Sequence, residues 1–108
     1  MADKLAKAPD AVPQQYQAEI DKLEEPLQRV LNRFAIPYSL QAKFAAREWS
    51  TYADLACIWD TPEVARAQCP ADLEFHNDGD YPQMAKRTIA MRMFQAVTKA
   101  RQDYTAMG

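Results

Sequence analysis

Glycine is nearly absent from this chain: two residues in 108, beside a single histidine, two cysteines and no long apolar run. Each scarcity excludes something. Two glycines cannot build a phosphate-cradling loop, and they starve β-hairpins of their turn residues. With His76 alone, no nucleophile–base pairing is legible. Paired carboxylates occur, but nothing places two of them around a cleft, so no enzymatic chemistry is expected. No stretch reaches the roughly 18 apolar residues of a membrane span. The first residues, Met-Ala-Asp-Lys-Leu-Ala-Lys, do not form the apolar segment of a secretion signal. An intracellular, cytoplasmic chain follows as the expectation, with Cys57 and Cys69 as buried thiols rather than a disulfide.

No cofactor or metal is expected. Cys57, Cys69 and His76 are widely spaced, whereas zinc ligands commonly come in close local pairs. The acidic stretch around Asn77-Asp78-Gly79 fails as a calcium loop. With Gly79 at the glycine position of an EF-hand, Ala85 stands where the bidentate Glu belongs.

What is present points to helices. The chain is 48% hydrophobic and 26% charged, rich in alanine, and long enough for one domain. Residues 1–12, small and polar with Pro9, read as a flexible N-terminal arm. Residues 13–108 read as a single all-α domain, a compact bundle of about five helices. Tyr16, Ile20, Leu23, Leu27, Val30, Leu31 and Phe34 form one helical stripe beginning near Pro13. Pro26 interrupts the stripe without changing its phase. A long kinked helix is the expectation, and a break near Glu24-Glu25 with Pro26 opening a second helix is the alternative.

Three short helices are expected next. Ser39 is the expected N-cap of the first. Ser50 or Thr51 caps the second, Thr51 with Asp54 matching a capping box, and its face is Tyr52, Leu55, Ala56 and Trp59. Asp60-Thr61-Pro62-Glu63 opens the third, which Cys69-Pro70 should close. Leu73 and Phe75 alternate with polar neighbours, consistent with a short extended piece that tucks both inward. Asn77-Asp78-Gly79 reads as a turn and Asp80 as the next cap. A long last helix is expected from about Pro82 to Tyr104, with Ile89, Met93, Phe94, Val97, Ala100 and Tyr104 inward.

The formal charge is −2, but it is unevenly spread. Residues 36–82 carry three Lys/Arg against eight Asp/Glu. Residues 83–108 carry five against one. The basic last helix therefore either pairs internally with the acidic middle or meets an acidic partner or a second copy. A DNA-reading helix pair does not fit. Gln41, Ala45, Thr51 and Leu55 have suggestive spacing, but Trp49 occupies the turn and Thr51–Asp60 lacks any Lys or Arg.

The expected function is a non-catalytic protein-interaction or assembly module with an acidic central face and a basic last helix. Its candidate contact residues are Trp49, Asp54, Asp60, Arg87, Met91 and Arg92. The alternative is an accessory nucleic-acid binder contacting phosphates through Lys86, Arg87, Arg92, Lys99 and Arg101. A pI near 5.3 weighs against it. Met84, Met91 and Met93 suit an adaptable interface, but Met91 and Met93 cannot face the same way on one helix.

Overall fold

A computed structural model describes residues 14–76, 79 and 81–107, with side chains as far as Tyr104. Six helices follow one another: α1 (Gln14–Ile20), α2 (Glu25–Arg33), α3 (Tyr38–Ala46), α4 (Tyr52–Cys57), α5 (Pro62–Asp72) and α6 (Gln83–Met107). There is no strand among the described residues, so the all-α expectation holds with six helices in place of five. The expected arm, the Pro13 helix start, the Asn77-Asp78 turn and the Asp80 cap lie outside the described residues.

The extra helix comes from Pro26. It sits in the first turn of α2, where its missing N–H costs nothing, and the chain breaks over Asp21–Glu24. The expected kinked helix is therefore two helices. Gln28 reaches back across the break, its Nε2 donating to the carbonyls of Ile20 (3.2 Å) and Leu23 (2.8 Å). The Glu24 N–H donates to the Ser50 carbonyl at 2.7 Å, so the break is tied to the start of α4.

Ser39 is not a cap. Pro37 holds that position for α3, and the Ser39 hydroxyl lies 3.0 Å from the Tyr81 hydroxyl. Pro70 does not end its helix either. It lies in the last turn of α5, which continues to Asp72. Its carbonyl accepts the N–H groups of Phe75 (2.8 Å) and His76 (2.9 Å), which turn the chain inward. The Thr51–Asp54 capping box and the Thr61 cap are formed as expected.

Three helices end in the same way, without glycine. Ala35, Glu48 and Glu74 adopt φ of 56°, 63° and 60° just beyond α2, α3 and α5. At each, the next residue's N–H returns to a carbonyl in the last turn. Ile36 donates to Leu31, Trp49 to Phe44 and Phe75 to Pro70, at 2.8–2.9 Å. These are Schellman turns, whose second outer residue packs back on the helix. Ile36 and Phe75 are fully buried as a result.

The helices close around one core. Leu27, Leu31, Phe44, Leu55, Leu73, Phe75, Ile89, Met93 and Val97 are completely shielded from solvent. Helices α4 and α5 lie against α6, and α1 lies against α3. The 25-residue α6 spans roughly 37 Å at helical rise. Leu73 and Phe75 point inward as expected, although in a turn rather than an extended strand. No described helix is long and apolar enough to cross a membrane.

Candidate functional site

The basic helix α6 is where the sequence concentrates positive charge, and its cations differ in what they touch. Arg92 Nη1 donates to the Ala35 carbonyl at 3.2 Å, just beyond α2. Arg101 Nη1 donates to the Ala56 carbonyl at 3.0 Å, in the last turn of α4. Lys86 Nζ donates to the His76 carbonyl at 2.8 Å, after α5. From α3, Lys43 Nζ does the same for Leu73 at 2.8 Å. Unpaired carbonyls and the negative end of the dipole make helix C-termini good seats for cations. Three of the five α6 cations, Lys86, Arg92 and Arg101, are thus directed at backbone carbonyls at or just beyond helix ends, not at the carboxylates of the middle segment.

Lys99 pairs with Asp103 at 2.9 Å, and Tyr52 Oη donates to the same carboxylate at 2.6 Å. The bond from Tyr52 and then that from Lys99 hold the Asp103 carboxyl below its ordinary range, against a smaller opposing effect of burial. Tyr52 is shifted the other way. Burial first, then the bond to Asp103, push its hydroxyl well above its ordinary value. This bond ties α4 to α6.

Arg87 is different. It is exposed, and no hydrogen bond or ion pair joins it to another described residue. Met84 and Met91 flank it at i−3 and i+4, so all three lie on one face of α6. Met84 is 71% exposed and Met91 38%. Met93, on another face, is fully buried. Beside this strip, an open cavity of about 370 Å³ runs between α5 and α6, lined by Arg66, Pro70, Gln83, Lys86, Arg87 and Ala90. Arg66 is likewise exposed and without a partner among the described residues.

The remaining candidates are scattered. Trp49 is half-buried and joins the core edge-on to Phe44 and Trp59, with centroids 5.6 and 5.9 Å apart. The Arg47 guanidinium covers it at 5.8 Å. Asp54 Oδ2 accepts the N–H groups of Ser50 and Thr51, both at 3.1 Å, so it serves the capping box. Asp60 is exposed just before the Thr61 cap, on the connection between α4 and α5. Of the six candidates, the structure brings Arg87 and Met91 together. Arg66 and Met84 complete that surface. Arg66 carried no sequence signal, because its partners across the cavity lie some twenty positions away.

Cys57 is exposed, contrary to expectation, and Cys69 is buried; both are free thiols. Burial, reinforced by the charge of Asp72, pushes the Cys69 thiol up to about 12. The His76 Nδ1 lies 3.2 Å from the Pro70 carbonyl oxygen. No cluster of three or more His, Cys, Asp or Glu suited to a metal occurs among the described residues. No family model, curated protein or solved structure matches the chain.

Proposed function

We propose that this chain is a non-catalytic protein-interaction module whose contact surface is the first half of α6. One observation carries the reading: Met84 and Met91 are exposed on the same helix face, and Arg87 between them has no partner among the described residues. Scattered exposed apolar residues are ordinary, but two unbranched thioether side chains framing a free guanidinium form an adaptable contact strip. Arginine and apolar groups together are the usual composition of interface centres.

The internal bonds of Lys86, Arg92, Lys99 and Arg101 favour this reading over a nucleic-acid backbone binder. A phosphate-tracking helix needs several cations free to leave the protein surface. The acidic residues of the middle segment contribute less than their number suggests. Asp54, Asp72 and Glu74 are engaged by the capping box, by Trp59 Nε1 (2.8 Å) and by Arg47 (3.4 Å).

The test is a quantitative affinity capture with the wild-type chain, the Met84→Glu/Met91→Glu double variant and an Arg29→Glu control on α2. A protein retained by the wild type and the control, but lost with the double variant, is the expected result. A set of bound proteins identical for all three chains would refute the assignment of this face.

A further inference from the structure

We infer that the cavity between α5 and α6 anchors an acidic peptide segment of the binding partner, with its carboxylates on Arg66, Lys86 and Arg87; this rests on the reading of α6 as a contact face. Three cations from two helices line one cavity, and no acidic residue lines it among the described residues. Glu63 lies one turn before Arg66 on α5, yet it is not part of the lining and forms no ion pair with Arg66. The chain as a whole carries a net −2, so a cavity whose charged residues, among those described, are all cationic is a local departure from that balance.

Lys86 is held in place by its bond to the His76 carbonyl, which keeps its charge at the cavity wall. The donor forks of Arg66 and Arg87 have no partner among the described residues, and a guanidinium fork matches a carboxylate with two parallel hydrogen bonds. Gln83 opens α6, so the positive end of the helix adds to the same field. A peptide is favoured over a small oxyanion by what stands next to the cations. Met84 and Met91 offer apolar contacts along α6 that an acidic peptide with interspersed apolar residues would cover and a free phosphate would not.

The probe is a fluorescein-labelled peptide of glutamates with interspersed leucines, read by anisotropy at low salt. A glutamate–serine peptide, a lysine–leucine peptide and inorganic phosphate as competitor complete the set. Saturable binding of the glutamate–leucine peptide is expected, weakened at least about tenfold by Arg66→Glu and less by Arg66→Gln. Weaker binding of the glutamate–serine peptide and none of the lysine–leucine peptide are expected as well. Melting curves check that both exposed-site variants remain folded. The inference is overturned if the glutamate–leucine peptide does not saturate, if the Arg66→Glu chain binds it unchanged, or if the lysine–leucine peptide binds equally. Displacement by phosphate at comparable concentration overturns the peptide in favour of a small oxyanion. Arg66 lies off the Met84–Met91 strip. Partner capture lost with Met84→Glu/Met91→Glu but unaffected by Arg66→Glu would therefore keep the contact face and reject the cavity as its anchor.

Discussion

Cys57 and Cys69 are the same residue type twelve positions apart, and their surroundings give them different chemistry. Cys57 faces solvent, while Cys69 is enclosed and its thiolate is disfavoured by burial. A maleimide added to the native protein near pH 8 should label one thiol rapidly and the second only on unfolding. Rapid labelling of two thiols in the native state would show Cys69 to be accessible. The Tyr52–Asp103 bond provides a second test. Tyr52→Phe removes a hydrogen bond to a charged acceptor and should destabilise the fold by about 1 kcal/mol in a denaturant melt. Because the Asp103 carboxyl is lowered in the folded protein, its contribution is present above the unfolded value near 3.9. That contribution is lost as pH falls through the folded value. The stability difference between wild type and Asp103→Asn should therefore be constant at neutral pH and shrink below about pH 4. A difference that widens with acid would contradict the assignment.

At the scale of elements, two caps were legible, while the start of α3, where Pro37 and not Ser39 is the cap, and the helix ends were not. Thr51 with Asp54, and Thr61 before Pro62, carry their chemistry in adjacent letters. The Schellman turns after α2, α3 and α5 hide theirs, because the left-handed position is held by Ala35, Glu48 and Glu74 in a chain almost without glycine. Prolines misled in both directions. Pro26 split a stripe whose phase was continuous, and Pro70 sits inside a helix it was expected to end. A proline in a last turn removes one N–H, while its carbonyl still serves the turn that follows. These ends make a prediction. A left-handed L-residue costs about 1–2 kcal/mol, and glycine gives part of that back through greater unfolded-state freedom. Ala35→Gly should accordingly raise stability by about 0.5 kcal/mol and the melting temperature by about 3 °C. A lowered melting temperature would argue against the left-handed turn at Ala35.

For the whole molecule, charge segregation was visible in the sequence and its purpose was not. An excess of cations in the last helix beside an excess of acids in the middle suggests carboxylate pairing, yet the structure matches three of those cations to backbone carbonyls near other helices' ends. Backbone acceptors have no signature in composition, so counting charged residues could not find them. Packing decides the rest: α6 is the helix against which α4 and α5 are assembled, and its cations close the ends that this assembly brings to it. Arg87 stands outside that scheme and Arg92 inside it, five residues apart on one helix. The most direct test compares partner capture by Arg87→Glu and Arg92→Gln, normalised to folded protein, with a melting curve for each. Arg92→Gln should lower the melting temperature by about 5 °C, from about 1 kcal/mol of lost charge-assisted bonding, and leave capture per folded molecule unchanged. Arg87→Glu should leave the melting temperature where it is and reduce capture. The contrary result, a destabilised Arg87→Glu chain with undiminished capture, would place Arg87 in the scaffold and remove it from the contact face.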